Sequence, residues 1–344
     1  MLRLLFAALA CSTFLHAVDP EDHVRKSTPV TSATRLVLNA DVGSIRVQSG
    51  IERTVDVDVV FRGSPPSRAE FDRMRRDFTL DVTQQGSDIR VKGAFHKAWE
   101  PMLAFWPFFV GHKLCRNWEC LEYGSWLREV EYRVTAPEKF DADVETSTGP
   151  ISVSNLKGEV YARTSGGSLS FDGVEGGVNG QTSGGGVTVE GGKGKAVVHT
   201  SGGPIRIKEV AGDVDASTSG GPILIERNLG RVRARTSGGG IEIREAKGAI
   251  DASSSGGGVN ASLAGQPKEE CRLQTSGGSI EVSLSKDVHV TLDASSSGGG
   301  VWTNFAVDGN DERHQGELRT RLNGGGPLLY LHTSGGRISV RRAD

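Results

Sequence analysis

The sequence predicts an all-β fold, a parallel β-helix (solenoid) of about ten coils of 18–21 residues each, preceded by an N-terminal β region. Three observations predict it. Thr-Ser-Gly-Gly or a near copy starts at Thr146, Thr164, Thr182, Thr200, Thr218, Thr236, Ser254, Thr275, Ser296 and Thr333, at intervals of 18, then 21, then 37 residues. A short fixed period of this kind means stacked coils. Apolar residues stand five and seven positions after each Thr, as in Ile205 and Ile207 or Ile223 and Ile225. A second apolar pair stands four and two before the next Thr, as in Val214 and Ala216. Each pair has strand periodicity. The two pairs are opposite in phase, so the chain turns between them and each coil carries at least two short strands.

Taken along the chain, the first element is an address. Met1-Leu2-Arg3 and the apolar stretch Leu4 to Leu15 have the order of a signal peptide over residues 1–17, with Leu15-His16-Ala17 as cleavage site. This predicts export to the periplasm, the outer cell surface or the medium. A lipid anchor at Cys11 is the alternative.

Residues 30–137 follow a looser rule. Leu36 to Asn39 and Gly43 to Val47 read as degenerate coils. Val55, Val57 and Val59 alternate with Asp56 and Asp58, a half-buried strand. Leu80 to Val82 and Ile89 to Val91 flank a turn at Gln85-Gly86. One helix is expected after Ser67, whose spacing to Glu70 is that of a capping box.

Residues 93–126 form an aromatic insertion, with nine of the 21 aromatics of the chain. Trp99, Phe105, Trp106, Phe108, Phe109, Trp118 and Trp126 make it the candidate interaction surface. Two readings stand: a segment folded over the solenoid to cover an edge, or a tip that meets a partner or a membrane surface. The apolar run from Met102 to Val110 is too short to span a bilayer. Cys115 and Cys120 are disulfide candidates in an exported protein. Cys271 falls on an inward position and reads as a buried thiol.

In the repeats, residues 138–344, the paired glycines Gly166 and Gly167, Gly184 and Gly185, Gly202 and Gly203, Gly220 and Gly221, and Gly238 and Gly239 read as structural corners. Positive φ and close stacking both favour glycine there. The Thr is expected to point inward, with hydroxyls bonding to one another up the column. A phosphate loop would open a helix, and none follows. Outward columns carry alternating charge: Asp215, Arg233, Asp251, Arg272, Asp293 in one, and Glu190, Lys208, Glu226, Arg244 in another. Acid chemistry on saccharides needs carboxylates grouped so that their pKa values separate; here each is flanked by a base. The stretch Asn304 to Asn323 reads as a polar, irregular loop able to cap the last coil. Its Asp308, Asn310, Asp311 and Glu312 lack the spacing of a calcium loop.

Glycine, at 47 of 344 residues, is about twice its usual ~7% share, and the repeats account for it. The net charge of −2 and the lack of a basic run argue against nucleic acid as a partner. No catalytic, cofactor or metal motif stands out.

An N-terminal strand region followed by coils of this form, with Asn323-Gly324-Gly325-Gly326-Pro327 before the last, resembles a bacterial putative-adhesin family, a β-strand-repeat domain of unknown function. The resemblance spans about residues 30–344. It implies a right-handed parallel β-helix at the cell envelope and supplies no catalytic residues. Together these readings predict a non-catalytic envelope scaffold touching an envelope protein or a glycan. An envelope-assembly factor working through the insertion comes second, and a polysaccharide-active enzyme third.

Overall fold

The computed structural model describes residues 21–32, 34–63, 67–95, 127–306, 312–314 and 316–343. Two long sheets face each other across one apolar core, with 15 and 14 strands among the described residues. We call the larger one sheet one; its strands end on the repeat Thr or Ser, as in Val160–Thr164 and Val178–Thr182. Sheet two holds the partner strands, such as Leu169–Asp172 and Val187–Glu190. Successive coils pair in parallel and in register, Thr164 beside Thr182 and Leu169 beside Val187. The alternation of buried and exposed residues in every coil strand follows from the period of two.

Each coil has a short third side that two apolar pairs do not reveal. Ten residues after the Thr, Leu156, Val174, Val210 and Ala246 point into the core and are fully buried. The residue just before each of these turns the chain through a left-handed backbone. It is Asn155, Gly173, Gly191, Glu209, Arg227 and Glu245 in successive coils, with φ of 52–70°.

The ends break the order of the chain. At the C-terminal end of sheet one, Leu328–Thr333 lies between Cys271–Thr275 and Val290–Ser296. In sheet two, Ile338–Arg342 lies likewise between Ile280–Leu284 and Val301–Thr303. The last coil of the sequence is therefore wedged between two earlier ones. Val290–Ser296 is then covered by Glu317–Leu322, antiparallel. The stretch expected to be an irregular loop is thus partly a capping strand. Its alternation of Leu318, Thr320 and Leu322 inward with Glu317, Arg319 and Arg321 outward is what pairs it.

The N-terminal end is built the same way. The coil of Arg35–Ala40 and Ser44–Gly50 stacks directly on the Thr146 coil. The later strands Asp88–Phe95 and Leu127–Pro137 form the next coil outward. Antiparallel strands then close both sheets: Phe78–Gln85 on one, Thr54–Gly63 and Glu21–Pro29 on the other. Antiparallel caps of this kind blunt the exposed edge of a parallel stack.

The single helix among the described residues, Arg68–Asp77, starts at Ser67, whose side chain accepts from the Glu70 N–H, and buries Phe71 and Met74. Phe78, Phe61 and Phe95 meet edge to face beneath it, with centroids 4.9 and 5.2 Å apart. The sheets run unbroken from this region into the repeats, so the core is continuous.

Candidate interaction surface

The Thr-Ser-Gly-Gly corner is an internal joint. Every repeat Thr or Ser is buried, and from Thr164 to Thr333 its hydroxyl makes two bonds. It accepts from the N–H of the second glycine of its own corner, as Gly203 to Thr200 at 3.2 Å. It donates to the carbonyl of the second glycine one coil below, as Thr200 to Gly185 at 2.7 Å and Thr218 to Gly203 at 3.1 Å. The column of hydroxyls bonding to one another is therefore corrected: each staples backbone to backbone. The bonds also fix the stacking order, since Thr333 reaches Gly278 and Ser296 reaches Gly336.

Positive φ is likewise not what the corner glycines supply; that backbone occurs at the third side instead. The second glycine is required by contact. A Cβ on Gly221 would stand 2.1 Å from the Gly203 carbonyl oxygen, and one on Gly185 2.1 Å from that of Gly167. The first glycine is looser, with 3.4 Å to the nearest atom at Gly220.

Outside the joint, the charged columns are paired coil to coil. Arg233 stands 3.6 Å from Asp215 and 3.3 Å from Asp251. Lys208 reaches Glu190 at 2.9 Å, and Arg244 reaches Glu226 at 2.8 Å. A third ladder, unseen in the sequence, runs along the short side from Glu138 through Lys157 and Glu175 to Lys193. Hydrogen bonding to these partners raises the pKa of Lys208 and Lys157 and lowers that of Glu175, and hydrogen bonds to Glu242 and then Glu226 raise that of Arg244. Exposed pairs of this kind favour one register and, screened by solvent, add little stability each. The expected run from Arg272 to Asp293 is broken: the inserted coil puts Tyr330 between them. Arg272 lies over the Tyr330 ring, 5.2 Å from its centroid, and Asp293 pairs with Arg319.

Sheet one carries a different patch. Over the Thr164, Thr182 and Thr200 coils its outward residues are Tyr161 and Arg163, Asn179 and Gln181, Val197 and His199, aligned in register. Tyr161 is 49% exposed. His199 hydrogen-bonds Ser217 at 2.9 Å. On sheet two a shallow hollow of about 390 Å³ is lined by Pro204, Arg206, Pro222, Leu224 and Glu242.

The aromatic surface from Trp99 to Trp126 and the cysteines Cys115 and Cys120 lie outside the described residues, as do Cys11 and the signal-like segment. The insertion leaves sheet one at Phe95 and returns to sheet two at Leu127, on the outer N-terminal coil. Cys271 is a free, fully buried thiol whose pKa burial raises. Two buried groups escaped the sequence reading. The Tyr132 hydroxyl and the Asn228 Oδ1 have no hydrogen-bond partner among the described residues. Asn228 was findable, as a polar residue in a slot that is otherwise Leu, Val, Gly or Ala. Among the described residues no three potential metal ligands gather.

Stacked coils of two parallel sheets joined by stapled Ser-Gly-Gly corners define a β-solenoid. The chain belongs to the Toastrack DUF4097 family, whose profile matches residues 33–341. No curated protein matches it. Among solved structures it is similar to a putative adhesin from Bacteroides fragilis, at 12% identity and a TM-score of 0.30, covering 94% of this chain and 97% of that one. A putative adhesin from Parabacteroides distasonis matches at 10% identity and 0.34, with the same coverage. A putative cell adhesion protein from Clostridium sporogenes matches at 13% identity and 0.20, covering 94% and 100%.

Proposed function

We propose that this chain is a non-catalytic scaffold of the cell envelope, exported by its N-terminal segment, that presents rigid flat faces to a protein or a glycan. The observation that carries this reading is the pairing of the outward ladders. Their carboxylates are bonded to bases on neighbouring coils at 2.8–3.6 Å. Hydrolytic acids need a protonated and an ionised carboxyl in one site. At these positions each carboxylate is engaged by a base of the neighbouring coil and serves the stack. Crosslinking in intact cells followed by pull-down tests the reading. A captured envelope protein or glycan supports it. Release of product from a polysaccharide, abolished by one charge substitution, overturns it.

The second reading, contact with a membrane surface or an assembly partner through residues 93–126, draws on where the insertion leaves the fold. The strands on either side of it, Asp88–Phe95 and Leu127–Pro137, form the outermost parallel coil. Co-sedimentation with liposomes, with and without residues 96–126, tests it. Equal behaviour of the two proteins removes it.

A further inference from the structure

We infer that the outward face of sheet one over the Thr164, Thr182 and Thr200 coils is a saccharide-binding site, and that its ligand is a neutral, extended glycan lying along the solenoid axis. The inference rests on the scaffold reading and names its ligand class. It starts from unused bonding capacity. In the ladders, side chains aligned on adjacent coils bond to each other. On this face His199 bonds Ser217 of the next coil, and the others do not. The side chains of Tyr161, Arg163, Asn179 and Gln181 make no hydrogen bond, ion pair or ring contact among the described residues. Yet they stand in register on adjacent strands, about 4.8 Å apart. Beside them Ser165, Ser183 and Ser201 hold a row of exposed side chains.

The chemistry of the patch selects the ligand. On this face the outward strand positions of the three coils carry no carboxylate; Asp143 and Glu145 flank them on one side and Asp215 on the other, and Glu159, just before the first strand, accepts from the Gly177 N–H. Two amides, a guanidinium, an imidazole and a phenol therefore offer donors and acceptors on a face that carboxylates border but do not cross. A protein hot spot needs a cluster of aromatic or aliphatic anchors that become fully desolvated. Here one exposed ring, Tyr161, and the half-buried Val197 are the apolar content. One aromatic platform beside a flat grid of polar groups suits a sugar, whose ring has an apolar C–H face and hydroxyl edges. Tyr161 then takes the C–H face of one sugar, Asn179 and Gln181 bridge the hydroxyls of the next, and His199 reaches a third. The repeating rungs favour a repeating polymer. The sheet is rigid and continuous, so little conformational entropy is lost on binding.

The test is calorimetric titration of the full chain with cellohexaose, chitohexaose and mannohexaose, using wild type and four variants. We expect one of these neutral hexasaccharides to bind. Tyr161→Ala should weaken it at least tenfold and Gln181→Ala about fivefold. Tyr161→Phe, which keeps the platform, should stay within twofold. Leu224→Ala, on the opposite face, should leave it unchanged. All three positions are at the surface, so melting temperatures are expected to match wild type, and a variant that melts early is replaced by Asn179→Ala. No binding to any of the three, or equal binding by Tyr161→Ala and wild type, overturns the assignment. If a protein is captured from the envelope while no hexasaccharide binds, the site fails and the scaffold reading stands.

Discussion

The middle coils and the two ends solve the same problem differently. From Thr164 to Ser254 every coil rests on the one before it in the chain, through one hydroxyl staple, one close glycine contact and paired ladders. At the ends, coils rest on segments distant in sequence. Thr333 bonds across to Gly278, 55 residues earlier, and Arg35–Ala40 pairs with Asp141–Thr146, about a hundred residues on. The middle is repetitive because each coil meets a copy of itself. The ends cannot be, because a terminal coil must also close the stack.

The sharpest break between the two regions is removal of residues 324–344. This takes out Leu329, Leu331, Ile338 and Val340, all buried, worth about 1.5–3 kcal/mol each. It also leaves Val290–Ser296 facing an empty slot where the inserted coil stood. The C-terminal coils are expected to lose hydrogen-exchange protection while the Thr164 to Thr236 coils keep theirs. Excising residues 200–217, one whole period, is the matching test of the middle. The Thr182 coil then meets the Thr218 coil with staple and glycine contacts in place, at the cost of setting Glu190 beside Glu226. A cooperative melt close to wild type is expected, far milder than the terminal deletion. A collapse as severe as that deletion would show that the middle is not modular.

Within one corner the two glycines should separate. Gly221→Ala forces a Cβ into a backbone carbonyl that no rotamer change can relieve, and is expected to cost about 3 kcal/mol or more. Gly220→Ala should cost well under half of that. Equal losses in thermal unfolding would return the corner to a simple need for flexible backbone. Thr218→Val comes next. It removes a hydroxyl that both accepts and donates and leaves a buried carbonyl and N–H short of a partner. A loss of about 1–3 kcal/mol is expected, with Thr218→Ser recovering most of it, as Ser254 does naturally.

What was legible in the sequence follows the same division. The period located the two strands of each middle coil and the inward Thr, because both depend on residues a few positions apart. The direction of the hydroxyl bond was not legible, since periodicity says which way a side chain points and not which of two nearby oxygens it reaches. The third side is half visible in the sequence, where Gly158, Gly176 and Gly194 recur at the 18-residue period. The left-handed residue before it is Glu209, Arg227 or Glu245 as often as Asn or Gly, and so carries no composition signal. The inserted last coil was hidden for a stronger reason. The Thr333 coil has the same pattern as the others, so nothing in it says that it stacks before the Ser296 coil. The 37-residue interval was the available sign. The Tyr161 patch was hidden as well, because a solvated polar position looks alike whether its neighbour pairs with it or not.

The smallest expected effect has the opposite sign and belongs to an end. Tyr132, on the outer N-terminal coil, is a fully buried side chain. Its hydroxyl lies where a Cβ on Gly93 of the facing sheet would be, only 2.2 Å from it. The glycine makes room for the ring, but the oxygen has no partner among the described residues. A buried hydroxyl without a bond loses its hydration and gains nothing in return. Tyr132→Phe removes the oxygen at almost constant volume, so the variant is expected to be as stable as wild type or more stable, by up to about 1 kcal/mol at neutral pH. Burial also raises the pKa of this phenol above its ordinary value of 10.0. The folded protein therefore keeps the proton at a pH where the unfolded chain releases it. Below pH 10 both states hold it, and stability does not depend on this group. Above pH 10 the unfolded state binds fewer protons, and stability falls as pH rises. Phenylalanine abolishes that fall. The stability gained by Tyr132→Phe should thus widen between pH 9 and pH 11 in denaturant titrations, and a gap that stays constant would mean that the hydroxyl is solvated after all.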